Sequence, residues 1–544
     1  MFENKKKTGL IIVGAVVIAA FGGGYLYFRS LLGGKALTPV EAARLVPQNA
    51  LLAGYVSTDS ETWYKLESFG TPEAKKLIDE IKAKLEQNSQ EKAITQNINY
   101  EEDIQPWLGN MMLAALPSQT KEAKFLLVVG IKDKVAAAKF MDKFKQELQD
   151  SIEISQYKGI PIIKVESKSE GTFNIAILDD KMVVSPENKT VEKAIDTYKG
   201  GASFADKKGA KEILTQTSID NNTLFQLYVP DYSGLLKQLM QASGENPATF
   251  KSIQKELNYV DSMLISLRIE ENRGILMQSV AKYNSNFKFP KYPEISGKIL
   301  SKIPGDSLLL ISGGGISQTW SWLREQFEEN PDLKQSLDIA KVSLKAETDL
   351  DLDRDIIGWM DGEFAISILP SNRQPAFISG AMVITTSERS IAENTLDTIE
   401  GLAKSKGVVV KDTNFAGKEV TEYQDALEGQ VVLAYGWLDD RSLAISMGDE
   451  ADKIISLKSS DSLAQNPDFQ TITSNLPKKN LGYFYINFKE VNFTIDRLSN
   501  TYGQPVTPEA KAILNSIKGI AAVNTMVDSS TVQQDLLIEL VTSK

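Results

Sequence analysis

Five short landmarks occur twice in this chain, always in the same order. Pro47 opens Pro-Gln-Asn-Ala-Leu-Leu and Pro304 opens Pro-Gly-Asp-Ser-Leu-Leu, and sixteen residues after each comes a tryptophan, Trp63 and Trp320. Asp103-Ile104, three residues before Trp107, matches Asp355-Ile356, three before Trp359; an apolar run then closes at Leu116-Pro117 and at Leu369-Pro370. Tyr157-Lys158-Gly159 parallels Phe415-Ala416-Gly417, and Leu178-Asp179-Asp180 parallels Leu438-Asp439-Asp440. Chance does not preserve order across five landmarks, so the body consists of two copies of one unit, and each copy must bury its own core.

The periodicities within a copy predict an α+β unit. Phe125 to Gly130 is a short apolar run, read as a buried strand, and Val135 to Leu148 carries apolar residues at helical spacing. Ile160–Val165 and Phe173–Leu178 read as strands, with Asp179-Asp180 as a two-residue turn into Val184, then a helix from Val191 to Tyr198. The second copy repeats this as strand 381–385, helix 390–403, hairpin strands 431–435 and 442–446, and helix 449–458. Runs of strands between amphipathic helices favour an antiparallel sheet covered on one face by helices. Asp103 and Trp107, like Asp355 and Trp359, are spaced i, i+4 on a short helix, with Gly109 and Gly362 placed as C-caps. Both tryptophans read as anchors of that helix to the sheet, ahead of a role as binding platforms.

Ahead of the copies, Thr8 to Phe28 carries no charge. Twenty-one residues at a rise of 1.5 Å span about 31 Å, the thickness of a bilayer core. Tyr25, Tyr27 and Phe28 sit at one end, and Gly22–Gly24 permit close helix packing. The run exceeds a signal-peptide core and no Ala-x-Ala site follows, so a retained anchor is read over a cleaved signal. Lys5, Lys6 and Lys7 against Arg29 and Lys35 place the N-terminus in the cytoplasm, and the remainder in a periplasm or lumen.

Composition narrows the chemistry. There is no His and no Cys, which removes Ser-His-Asp and Cys-His catalysis, HExxH proteases, zinc fingers and disulfides. Net charge is −11, and residues 8–544 carry 57 basic against 70 acidic side chains, which excludes nucleic acid as a partner. Gly313–Gly315 lies between a strand and a helix but lacks the lysine of a phosphate loop, and reads as a plain turn. Asp349, Asp351, Asp353 and Asp355 alternate like a calcium loop, yet its glycine and glutamate positions hold Arg354 and Met360. Leu350 and Leu352 between them are expected to point inward. Ser-x-x-Lys occurs at Ser89/Lys92, Ser155/Lys158 and Ser252/Lys255, the number composition alone delivers. No catalytic, cofactor-binding or metal-ligating residue is assigned.

The Lys run before an uncharged anchor, Pro-x-Asn/Asp-Ala/Ser-Leu-Leu, and Asp-Ile-x-x-Trp-Leu/Met before an apolar strand together resemble a family of mainly cyanobacterial, membrane-anchored proteins, domain-of-unknown-function family 3352. The resemblance implies a bacterial envelope or thylakoid-membrane protein and brings no catalytic residues; Met111 stands where the second copy has Glu363, so that carboxylate is not shared between the copies.

The resulting organisation is a basic stub (1–7), a transmembrane helix (8–28), a linker (29–40), a first α+β repeat (41–288), a second linker (289–297, within the proline-bearing stretch 284–297) and a second repeat (298–544). The functional expectation is a non-enzymatic scaffold or assembly factor with a protein partner, without cofactor. Two alternatives stand beside it: a module binding lipid or pigment in a cleft between the repeats, and a hydrolase of envelope polymers using two carboxyl groups about 5–9.5 Å apart. A periplasmic reporter fused after Lys544 is expected to be active and a cytoplasmic one silent; the reverse pattern overturns the orientation.

Overall fold

The apolar run at Phe125 is the middle of a strand whose two edges are both paired, and the rest of the first unit is arranged around it. The computed structural model describes residues 37–80, 100–117, 124–147, 152–167, 171–214, 222–243, 259–292, 295–328, 331–375, 377–448 and 450–542. The expected membrane helix, 8–28, lies outside them. No helix among the described residues is long and apolar enough to cross a membrane. The chain divides into two compact units, one running to Phe287 with Ser530–Gln533 and Thr542–Lys544, the other Lys288–Ser529 with Gln534–Val541.

The first unit holds α1 (Pro39–Ala43), β1 (Leu52–Val56), α2 (Ser60–Glu67), β2 (Leu108–Leu116), β3 (Lys124–Ile131), α3 (Lys134–Glu147), β4 (Ile152–Tyr157), β5 (Ile160–Ser167), β6 (Gly171–Leu178), β7 (Lys181–Ser185), α4 (Asn188–Tyr198), α5 (Lys208–Leu214), β8 (Thr223–Val229), α6 (Tyr232–Ser243), β9 (Val260–Glu270) and β10 (Gly274–Tyr283). Its strands pair antiparallel in the order β10–β9–β8–β1–β2–β3–β7–β6–β5–β4.

The second unit holds β11 (Leu309–Gly314), α7 (Ile316–Glu328), α8 (Pro331–Thr348), β12 (Glu363–Pro370), β13 (Ile378–Thr385), α9 (Arg389–Ser405), β14 (Val409–Phe415), β15 (Lys418–Gln424), β16 (Val431–Asp439), β17 (Ser442–Met447), α10 (Ala451–Ile455), α11 (Pro467–Thr473), β18 (Tyr483–Asn487), α12 (Phe488–Tyr502), α13 (Pro508–Asn515), β19 (Ile517–Met526) and β20 (Thr531–Leu540). Their order, β20–β19–β18–β11–β12–β13–β17–β16–β15–β14, repeats the first unit strand for strand.

Alternation explains the cores. Tyr55, Met112, Val128, Val183 and Ala176 are direct cross-strand partners on β1, β2, β3, β7 and β6, and all are buried beneath α1, α4 and α5. The second unit places Ala365, Val383 and Ala444 in the matching row, with Ile454 and Ile455 of α10 also buried. Here the structure corrects the expectation of a single covered face. Ile384 and Leu443 point the other way and pack with Trp359 and with Ala392 of α9. Helices therefore lie on both faces of this sheet, which is why its strands are apolar on both sides. The helix expected over 449–458 is confined to Ala451–Ile455, and Ser459–Asp461 follows as a 3-10 turn.

The glycines expected as helix caps do other work. Gly109 is inside β2, where a Cβ would stand 2.8 Å from the Gly130 carbonyl oxygen. Gly362 precedes β12 and exchanges backbone hydrogen bonds with Gly315 and Thr385. Both are there because another backbone passes at contact distance. Gly362→Ala would put a Cβ 2.5 Å from the Thr385 carbonyl oxygen, and is expected to destabilise the chain by about 1–3 kcal/mol. Gly401→Ala, in open space on α9, is expected to stabilise it by up to about 1 kcal/mol. Denaturant unfolding of the two variants checks the opposite signs.

Candidate functional site

The two units are most informative where they stop matching. Trp63 and Trp320 hold the same place in the repeat, on α2 and α7. Trp63 is buried, and its indole N–H donates to the Ser57 carbonyl at 2.7 Å. Trp320 is half-buried, and its indole N–H donates to Asp353 Oδ1 at 2.6 Å. One turn along α7, Arg324 donates to Asp353 Oδ2 at 3.0 Å, and Lys341 of α8 reaches the same oxygen at 2.7 Å. Burial pushes the Asp353 carboxyl up, but the Lys341, Trp320 and Arg324 donors together outweigh it and hold it below the ordinary carboxylate range. Such a group stays ionised at neutral pH and is unsuited to general acid work.

Around this hub is a cleft of about 480 Å³, lined by Phe289, Pro290, Trp320, Trp322, Arg324 and Asp353 with Lys288, Lys291 and Glu325 among the remainder. Lys288 and Lys291 are exposed and make no ion pair with another described residue. The Nε of Arg324 is shielded from solvent and has no hydrogen-bond partner among the described residues. In the first repeat, Lys65 and Glu67 occupy the places of Trp322 and Arg324. Lys65 there pairs with Glu271 at 2.7 Å.

The family model for proteins of unknown function, DUF3352, matches residues 10–540. The chain belongs to the DUF3352 family. No curated protein and no solved structure matches it.

Most of the motifs singled out in the sequence lie within the described residues and have structural roles there. Of the aspartate ladder, Asp349 is exposed beside Lys345, and Asp351 accepts from the backbone N–H groups of Asp353 and Arg354. The Arg354 guanidinium, pairing at 2.6 Å, holds the Asp355 carboxyl at about 2. The four carboxylates serve a cap and three different cation contacts, and no group of three or more metal-ligating side chains occurs among the described residues. Leu350 is buried and Leu352 half-buried.

Gly313 and Gly314 lie inside β11, paired to β12, and the amides of Gly315 and Ser317 donate to the Gly362 and Met360 carbonyls. Those N–H groups are committed to backbone acceptors. Ser155 is on β4, while Lys158 ion-pairs with Asp196 at 2.6 Å; Ser89/Lys92 and Ser252/Lys255 lie outside the described residues. Trp107 and Trp359 are both buried beyond the ends of π-helical turns at Tyr100–Ile104 and Leu352–Ile357. Trp107 donates its indole N–H back to the Asp103 carbonyl at 2.8 Å, the i, i+4 contact its spacing suggests. Glu363, without a counterpart in the first repeat, accepts from Ser296 N–H at 2.5 Å and from its hydroxyl at 2.6 Å, tying down the segment before β11.

A second departure lies on the sheet. Ile311 and Ile366 are cross-strand partners on β11 and β12, and both are exposed. Ile378 and Met447 present apolar side chains on the same face, with Met447 lying over Gly380. In the first repeat Gly54 stands at the place of Ile311, and the buried ring of Phe225 lies against it.

Asp353→Asn removes the charge that gathers Arg324 and Lys341. Because the folded carboxyl titrates below its unfolded value, its contribution is fully present above about pH 4 and is lost as pH falls through the lower folded value. Urea unfolding is expected to show the variant roughly 1–2 kcal/mol less stable at pH 7, with the gap closing as pH falls below 4. An equal gap at pH 7 and in strong acid refutes the assignment.

Proposed function

We propose that this chain is a membrane-anchored, extracytoplasmic interaction protein without catalytic activity, an assembly factor or scaffold for a membrane or envelope complex. Residues 8–28 tether it to a plasma or thylakoid membrane, with the N-terminus cytoplasmic and the acidic body in the periplasm or lumen. Tethering raises the local concentration of a partner in the same membrane.

The observation carrying this reading is the open apolar face of the second unit. Ile311, Ile366, Ile378 and Met447 are 43%, 40%, 42% and 62% exposed on one side of one sheet. Several large apolar side chains left exposed together on one sheet face of a folded protein mark a surface that is covered in use. Covering the exposed part of each side chain is worth on the order of 1 kcal/mol, enough to decide an association. The lack of His and Cys, and the engagement of Asp353 by three donors, weigh against the hydrolase alternative. The same apolar face favours a second reading, an apolar ligand such as a lipid or pigment held against the sheet.

One preparation separates the two. The full chain is purified from its native membrane in mild detergent, and proteins, lipids and pigments are identified together by mass spectrometry. A protein present in stoichiometric amount is expected, and Ile311→Thr with Ile366→Thr is expected to lower its recovery about tenfold while leaving the unfolding midpoint within experimental error. Recovery of a lipid or pigment without protein replaces the first reading by the second. Undiminished capture by the double variant removes the sheet face from either.

A further inference from the structure

We infer that the Trp320–Arg324–Asp353 cleft is a second binding site, separate from the sheet face, and that it takes an acidic peptide segment carrying an aromatic side chain. The first ground is charge. The chain is strongly acidic, yet Lys288 and Lys291 stand at this cleft without a carboxylate partner among the described residues. Of the two carboxylates in the lining, Asp353 and Glu325, Asp353 is already engaged by Lys341, Arg324 and Trp320. Two unpaired lysines on an acidic body form a local positive field, and such a field steers and holds an anionic partner.

The second ground is the unmatched donor. Arg324 uses one terminal nitrogen on Asp353, while its shielded Nε has no acceptor among the described residues. A shielded donor left unpaired is costly, and the arginine that carries it lines the cleft. The third is the aromatic lining. Trp320, Trp322 and Phe289 all line the cleft beside these cations and are half-buried. Tryptophan and arginine together are the residue types that dominate peptide and protein recognition.

The lining also selects among anions. A compact phosphate group is held by converging donors, bidentate arginine above all. Here the arginine is partly committed to Asp353, the lysines are exposed, and Glu325 adds a repelling charge to the lining. A peptide with carboxylates spaced along an extended chain can meet Lys288 and Lys291 while keeping clear of Glu325, and its aromatic side chain has ring surface to stack on. A volume of about 480 Å³ suits a few side chains.

The test uses the full-length chain in detergent and a fluorescein-tagged peptide of alternating glutamate and tryptophan, followed by fluorescence anisotropy. The peptide is expected to bind at low salt and to weaken several-fold at physiological salt. Lys288→Glu with Lys291→Glu, both exposed positions, is expected to weaken binding at least tenfold with an unchanged circular dichroism spectrum. Ile311→Thr with Ile366→Thr is expected to leave it unchanged, which keeps this site distinguishable from the sheet face. Equal binding of the peptide with lysine in place of glutamate, or undiminished binding by the lysine variant, overturns the proposal. Competition by inorganic phosphate at concentrations matching the peptide's carboxylates also overturns it, leaving a simple anion site.

Discussion

Both units depend on one short strand being paired along both edges by segments distant in sequence. β1 is five residues long, yet it pairs with β2 on one side and with β8 on the other, more than 150 residues downstream. The closure is prepared just before it. Phe204 N–H donates to the Val46 carbonyl at 2.7 Å, and Pro47 and Ser203 form an isolated bridge. The second unit repeats this with Leu463 N–H on the Ile303 carbonyl at 2.7 Å and a Pro304–Ser462 bridge. With β1 held in the middle, the hairpin strands β4 to β7 extend the sheet on one side and β8 to β10 on the other. Loop-closure entropy for so long an excursion is offset only when many residues pair at once, so the two flanks of each sheet stand or fall together.

The part of the fold legible in the sequence is the part built by local rules. The β6–β7 and β16–β17 hairpins could be read because Asp179-Asp180 and Asp439-Asp440 are turn residues between alternating apolar runs, and Asp179 does adopt a positive φ. The buried tryptophans 107 and 359 were legible as large aromatics repeated in register. The return of the chain through Ser203 and Ser462 was not, because its signal is a pair of backbone bonds that almost any residue can make. The covering of part of the second sheet's other face was hidden for a related reason: the strand residues Ile384 and Val383 are both apolar, and only the position of α9 says that a helix packs on the Ile384 side as well.

The candidate sites were the least legible, and the cause is physical. Repeat landmarks report what both units need in order to fold, whereas the cleft and the open sheet face are made of residues the units do not share. Asp353 could be seen only as one member of an acidic ladder, since nothing in its spacing reveals that Lys341, on the preceding helix, and Arg324 and Trp320, on the helix before that, converge on it. The one usable signal was the loss of correspondence at Trp322 and Arg324, where the first repeat has Lys65 and Glu67.

That divergence carries a consequence for how one duplicated unit acquires a surface of its own. In the first unit the tryptophan at this position has its indole on a backbone carbonyl, an acceptor fixed by the fold, so the ring is buried and closed to anything else. In the second the acceptor is a side-chain carboxylate, and a carboxylate accepts more than one donor. Once Asp353 is present, Arg324 and Lys341 can be gathered beside the indole, and the ring need not be fully buried to satisfy its N–H. Exposure of Trp320 and the accumulation of cations around it are thus two results of a single exchange of acceptor. The sheet face follows the same logic: where the first unit has Gly54 beneath Phe225, the second has Ile311, and an apolar surface that was internal becomes one that faces outward.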